Sequence, residues 1–70
     1  MDILEKFGNK VKQLRLEKGL SQERLAHNAG IDRTYLSGIE TGNRNSSIKV
    51  AHQIAVALNI TLSELLNFQE

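Results

Sequence analysis

One stretch of the sequence, Ser21 to Thr41, constrains the fold more than any other. It reads SQERLAHNAGIDRTYLSGIET, with apolar residues at helical spacing on both sides of Gly30. Glycine tolerates the positive φ that a helix ending in an abrupt turn requires. Ser21 begins the stretch and Asp32 follows the glycine, and both residue types are favoured as helix N-caps. The stretch therefore predicts two short helices joined by a tight turn.

The two predicted helices can pack against each other through a few apolar side chains. Leu25 and Ala26 lie on one face of the first helix, and Leu36 and Ile39 lie on one face of the second. Helices that cross at roughly 90 to 120° must approach closely, which favours a small residue such as Ala26 at the crossing. Neither helix is long enough to be stable alone. The rest of the chain must complete their core.

Three more helices are predicted around this pair, and no strand. Apolar residues recur at intervals of three and four from about Asp2 to Lys18, which is the pattern of an amphipathic helix. Another helix is predicted from Ile48 to about Leu58, with Ser47 as its cap. Thr61 to Glu64 reads T-x-x-E, a capping box that opens a last short helix. The prediction is an all-α fold of five helices, formed by residues 1 to 70 as one domain.

The residues of the central stretch carry a family resemblance. They match, at the right spacing, the helix-turn-helix of the Cro/phage-repressor (Xre-type) family at Gln22, Leu25, Ala26, Gly30, Ile31, Leu36 and Ile39. The segments RLEKGLSQERLA and DRTYLSGIETGNRN further resemble the controller proteins of restriction-modification systems, which are small dimeric transcription regulators. The resemblance extends from about Val11 to Leu66. It implies a compact repressor-like domain that binds operator DNA and both activates and represses transcription.

Direct recognition of bases is assigned to the second helix of the motif. A helix fits the major groove, and its first turn points most directly at base edges. The predicted base contacts are therefore Arg33, Thr34 and Ser37, with Tyr35 beside them. Arg33 has the geometry to donate two hydrogen bonds to guanine. For Tyr35 the alternative is a ring that partly covers the core.

Phosphate contacts are assigned to both ends of the motif. Ser21 and Gln22 begin the first motif helix, where free N–H groups and the helix dipole attract an anion. Arg44 and Asn45 follow the second helix in a polar loop, TGNRNS, and offer a cation and an amide. The resemblance also places Arg15 beside the DNA backbone, although its position alone is equally compatible with a solvated helix face.

A homodimer is predicted because a chain of 70 residues has a thin core and this one has no cysteine that could form a disulfide. The predicted fourth helix carries two apolar stripes, and the end of the chain adds several large apolar side chains. The residues expected at the dimer contact are Val50, Ile54, Ile60, Leu62, Leu66 and Phe68. The alternative is that all of them pack within one chain. A two-fold dimer predicts a pseudo-palindromic operator.

Catalysis and metal binding are not predicted. His27 and His52 form no H-x-x-x-H pair, no thiol is present, and we expect two ordinary histidines without a metal or cofactor. Glu40 is expected either to pair with a nearby arginine or, by resemblance to activating repressors, to belong to a patch that touches RNA polymerase. Without a membrane segment or signal peptide, the protein is expected to be cytoplasmic.

Two other functions remain compatible with these residues. One is a prophage or plasmid repressor without a restriction partner, which differs only in its genomic neighbours. The other is a protein-interaction module, such as an antitoxin that binds its toxin through the surface between Ile60 and Phe68. The net charge of +1 is a weak signal for nucleic acid and argues mildly against the DNA-binding interpretation.

Overall fold

A computed structural model describes residues 1 to 69, which form five α-helices and no strand. The helices are α1 (Ile3–Glu17), α2 (Gln22–Ala29), α3 (Arg33–Glu40), α4 (Ile48–Ala57) and α5 (Leu62–Leu65). The predicted all-α fold is confirmed, and the bounds of α1 differ from the predicted ones by a single residue at each end. Within residues 1 to 69, no helix combines the length and the apolar character that crossing a membrane requires.

The predicted caps and turns form as the residue types indicate. The Ser21 hydroxyl accepts a hydrogen bond from the Arg24 N–H at 3.0 Å, and the Asp32 carboxylate accepts one from the Thr34 N–H at 2.9 Å. Between them, Gly30 ends α2 in the left-handed region with φ 70°. These local interactions set the angle at which α3 leaves α2, because they satisfy backbone groups that neither helix can satisfy internally.

The core receives side chains from all five helices. The most deeply buried of them, with less than 2% of their surface exposed, are Val11, Leu25, Leu36, Ile39, Ile54, Leu58 and Leu65. Both motif helices therefore bury the faces predicted for them. The opposite faces of α2 and α3 remain available for contacts outside the chain.

The structure corrects the role predicted for one residue of α4. Ile54 is completely buried in the core, so its assignment to the dimer contact is wrong. The buried face of α4 consists of Ala51, Ile54, Ala55 and Leu58. Successive members are three, one and three residues apart, which is the spacing expected on one face of a helix. Ile48 is 71% exposed because it is the first residue of the helix and lies at the edge of the core.

The end of the chain is only partly covered by its own domain. Ile60, Leu62 and Phe68 are half-buried against the core, and the ring of Phe68 lies 6.5 Å from that of Phe7. Leu66 remains 41% exposed. These side chains therefore divide their apolar surface between the core and the outside.

Two helices approach closely where α1 meets the end of α3. Gly8 of α1 lies directly against the main chain of α3, and a methyl group added to it would overlap the carbonyl oxygen of Ile39 and come within 2.9 Å of that of Glu40. Because both obstacles are backbone atoms, rotation of a side chain cannot relieve the overlap.

We therefore expect Gly8→Ala to lower the free energy of unfolding by about 1 to 3 kcal/mol, although alanine is the better helix former. Urea denaturation followed by circular dichroism measures this change. The exposed neighbour provides the control, since Asn9→Ala should leave the midpoint nearly unchanged. Equal effects of the two substitutions would contradict the close contact at Gly8.

Candidate nucleic-acid interface

The exposed side of α3 presents the residues predicted to contact bases. Arg33 and Thr34 are exposed in its first turn, and Ser37 lies one turn further on the same side, half-buried. Leu36 and Ile39 anchor the opposite side in the core, with no exposed surface. The structure thus brings Arg33, Thr34 and Ser37 together on one face of a helix whose orientation is held by its buried side.

The loop after α3 folds back onto that helix. The backbone N–H groups of Asn43 and Arg44 both donate to the carbonyl oxygen of Gly38, at 2.9 and 3.1 Å. The Arg44 guanidinium lies over the ring of Tyr35, 5.2 Å from its centroid, and the Tyr35 hydroxyl donates to the carbonyl oxygen of Asn45 at 3.4 Å. Arg44 and Asn45 are therefore attached to the helix that carries the predicted base contacts.

Tyr35 partly covers the core, and its predicted contact with DNA stays a prediction. Its ring is half-buried and packs against the core, as the alternative predicted. Its other side carries the guanidinium of Arg44, and its hydroxyl reaches the loop. The ring is thus a spacer between the core and the cation above it.

A buried ion pair joins the ends of three helices. Arg15 of α1 donates from Nε to one carboxylate oxygen of Glu40 at 2.8 Å and from Nη2 to the other at 3.1 Å. Its Nη1 donates to the carbonyl oxygen of Leu20 at 2.7 Å, just before α2. The Gln22 amide also donates to Glu40, at 3.0 Å. The network fixes the start of α2 against the end of α3.

This network corrects two predictions. The Arg15 side chain is only 9% exposed and each of its three guanidinium nitrogens already donates a hydrogen bond within the chain, so its assignment as a phosphate contact is wrong. Glu40 is the structural partner of an arginine, as one interpretation held, and its burial excludes it from a surface that touches RNA polymerase. The sequence contained a sign that Glu40 is buried. Glu40 follows Leu36 by four residues and so lies on the apolar face of α3, where a carboxylate needs a buried cation as its partner.

The start of α2 retains free donors despite these contacts. The Ser21 hydroxyl accepts from the Arg24 N–H and keeps its own proton for another acceptor. Gln22 uses its amide nitrogen toward Glu40, and that nitrogen carries two protons, so one remains. Both groups are compatible with a phosphate contact, and Gln22 is held in place by the buried pair.

The charges on this side are not neutralised internally. The only ion pair within residues 1 to 69 is that between Arg15 and Glu40, so Arg33 and Arg44 have no acidic partner there. His27 and His52 are both exposed, as expected for ordinary surface histidines. No group of three acidic, histidine or cysteine residues in the described part of the chain could hold a metal ion.

Comparison with known proteins identifies the family. A family model described as helix-turn-helix matches residues 11 to 65, which is most of the chain. The chain belongs to this helix-turn-helix family. The match includes the second half of α1, both motif helices, the loop after α3, and α4 and α5, so it confirms the predicted Xre-type family as well as the fold.

The similar proteins include several controllers of restriction-modification systems. The chain is 54% identical over 65 residues to the control protein C.MunI from Mycoplasma sp, covering 91% of this chain and 88% of that protein. It is 46% identical to the control protein C.BamHI from Bacillus amyloliquefaciens, covering 89% of this chain and 78% of that protein. The predicted resemblance to controller proteins is thereby confirmed.

Solved structures of controllers have the same fold. The restriction-modification controller C.AhdI from Aeromonas hydrophila superimposes with a TM-score of 0.87 at 48% identity, covering 89% of this chain and 94% of that one. The controller C.Esp1396I, described as a tetramer in complex with its natural 35 base-pair operator, superimposes with a TM-score of 0.85 at 40% identity. That comparison covers 94% of this chain and 91% of the C.Esp1396I chain.

The buried ion pair generates a stability prediction. Glu40→Gln leaves the Arg15 guanidinium buried without a counter-charge, which should lower the free energy of unfolding by about 3 to 5 kcal/mol. Urea denaturation measures the loss. The double variant Arg15→Met, Glu40→Leu removes both charges and should recover most of the stability, because it leaves no unpaired ion in the core.

The matched control is Lys12→Ala, which removes an exposed cation from the same helix and should change little. A Glu40→Gln variant as stable as this control would show that the pair does not hold the three helices together.

Proposed function

We propose that the protein is a controller-type transcription regulator that binds operator DNA as a homodimer and places α3 in the major groove. The observation that carries this proposal is that exposed Arg33 and Thr34 share one face of α3 with half-buried Ser37. Buried Leu36 and Ile39 anchor the other face of the helix. Similarity to controllers of restriction-modification systems along nearly the whole chain supports the same function.

Arg33 is the principal base reader in this proposal. Its planar guanidinium matches the two acceptors that guanine presents in the major groove, and no carboxylate within residues 1 to 69 competes for it. Thr34 adds a hydroxyl and a methyl group, which fit a base acceptor and the thymine methyl. Ser37 and Tyr35 extend the contact along the groove.

Phosphate contacts on the two sides of α3 orient it. Ser21 and Gln22 supply donors at the start of α2, where the helix dipole adds to the attraction. Arg44 and Asn45 supply a cation and an amide from the loop after α3. Because both pairs are tied to α3, one through Glu40 and the other through Gly38, they position α3 relative to the DNA backbone.

A second copy of the chain is the partner proposed for the apolar surface formed by the starts of α1 and α4 and the end of the chain. An open groove there is lined by apolar side chains and by three polar residues of the loop before α4: Ile3, Leu4, Phe7, Ile48, Ala51, Leu66 and Phe68, with Asn45, Ser46 and Ser47. Ile48 and Leu66 are 71% and 41% exposed, which is unusual for side chains of this size beside one another. Val50, Ile60 and Leu62, each half-buried, extend the predicted contact.

Pairing two chains also follows from the modest charge. With a net charge of +1, one monomer neutralises few phosphates, and a dimer doubles both the phosphate and the base contacts. A two-fold dimer places its two α3 helices about 34 Å apart, one turn of DNA. The operator-bound tetramer of C.Esp1396I supports an arrangement of two dimers on adjacent sites for this protein as well. We infer that binding of the second dimer changes activation to repression.

No enzymatic role is proposed. The two histidines are exposed, and the described residues offer neither a metal-binding group nor a buried nucleophile beside a base.

Selection of binding sites from random duplex DNA by the purified protein tests the function. We expect a pseudo-palindrome, bound by two or four chains on sedimentation. Arg33→Ala should bind the selected site roughly 5- to 150-fold more weakly, the effect of losing about 1 to 3 kcal/mol of discrimination, and should lose its preference at one base pair of each half-site. No enrichment at low salt would overturn the proposal, since phosphate contacts are strongest there.

A charge placed in the proposed contact tests the dimer. Leu66→Asp should give monomers on sedimentation and weaken operator binding, because a carboxylate would be buried without a partner between two chains. Val56→Asp is the matched control, since Val56 is also apolar and 62% exposed but lies outside the groove. A dimer that persists in Leu66→Asp would place the contact elsewhere.

A further inference from the structure

Gly38 occupies the interior of α3 although glycine is unfavourable in a helix compared with alanine. The backbone conformation of Gly38 does not explain why this residue is a glycine. The glycines with positive φ are Gly19, Gly30 and Gly42, whereas Gly38 has an ordinary helical conformation that any residue adopts. The reason for a glycine must therefore lie in the space beside it.

The side chain of Arg44 occupies that space. A methyl group added to Gly38 would overlap Cγ of Arg44 and lie 3.3 Å from its Cβ and 3.5 Å from its Cδ. All three nearest atoms belong to this one side chain. At Gly8, by contrast, the nearest atoms belong to the main chain of α3, and a glycine there serves helix packing.

The backbone of the loop holds Arg44 against the same residue. The Arg44 N–H donates to the carbonyl oxygen of Gly38 at 3.1 Å, so the root of the side chain has a fixed position. From there the stem crosses α3 at Gly38 and carries the guanidinium to the ring of Tyr35. Because the overlap involves Cγ, a methyl group at residue 38 would force a rotation about the first side-chain bond and carry the guanidinium away from the ring.

We propose that Gly38 is a positioning residue for DNA binding, whose missing Cβ lets Arg44 lie across α3 and form with Tyr35 a preassembled pair. The inference rests on the proposed function, in which both side chains contact DNA. The ring covers one face of the guanidinium and leaves its N–H edges free to donate. A pair ordered before binding loses less side-chain freedom when it meets DNA.

The free protein gives a test that does not depend on DNA. Protons on the Arg44 side chain should show upfield ring-current shifts in the nuclear magnetic resonance spectrum, and Tyr35→Leu defines their values without the ring. Gly38→Ala should move these shifts to the Tyr35→Leu values. In the Arg44→Ala background, Gly38→Ala should not lower the melting temperature, because the overlapping Cγ is gone, only Cβ of residue 44 remains 3.3 Å away, and alanine favours the helix. Unchanged Arg44 shifts in Gly38→Ala would overturn the inference.

Binding to the selected operator gives the second test, arranged as a double-mutant cycle. Gly38→Ala and Arg44→Ala should each weaken binding roughly tenfold, as expected for a lost hydrogen bond to a charged group. Each should also reduce the slope of log affinity against log salt by about one. The double variant should bind like Arg44→Ala alone, because the guanidinium and the overlapping Cγ are then both absent and the methyl group has no guanidinium to displace.

The cycle separates this inference from two other outcomes. If Gly38→Ala weakens binding equally with and without Arg44, the glycine admits DNA rather than the arginine side chain, and the inference is wrong. If the wild-type protein selects no site, the proposed function fails, while the shifts of the free protein still report whether Gly38 positions Arg44.

Discussion

The ion pair between Arg15 and Glu40 is the interaction on which the arrangement of the motif depends. Burying two charges costs several kcal/mol for each ion, so such a pair persists only where the geometry is good and every polar atom has a partner. Both conditions hold here: the contact is bidentate, Leu20 and Gln22 satisfy the remaining groups, and no buried side-chain nitrogen or oxygen among the described residues lacks a hydrogen bond. The chain between α1 and α2 and the end of α3 thus share one polar centre.

Two glycines near that polar centre have different structural roles. Gly8 brings the backbone of α1 against the backbone of α3, next to Glu40, and so allows the ion pair to close. Gly38 opens space on the outside of α3 for a side chain from the following loop. One glycine therefore affects the core and the other affects the proposed DNA-binding face. Neither has the positive φ that would itself require a glycine.

The parts of the structure that depend on near neighbours in the chain could be predicted. The Ser21 and Asp32 caps, the left-handed Gly30 and the capping box at Thr61 all involve residues within a few positions of one another, so the residue types suffice. The exposed face of α3 followed from the same reasoning, because burial of Leu36 and Ile39 leaves only one side for Arg33 and Thr34. Ile54 was misassigned because the two apolar stripes of α4 adjoin each other, and periodicity alone does not say which one faces the core.

The five helices, the turn within the motif and the exposed side of α3 follow from the amino-acid sequence, since they depend on local backbone preferences and on helical periodicity. The burial of Arg15 follows from the three-dimensional fold, since its partner lies 25 residues away and no local pattern links them. The position of Arg44 on Tyr35 also follows from the fold, because the loop must fold back onto Gly38 before the two side chains meet. The sequence alone does not distinguish a solvated charged side chain from a buried one. Whether the side chain is buried depends on which distant residue the fold places beside it.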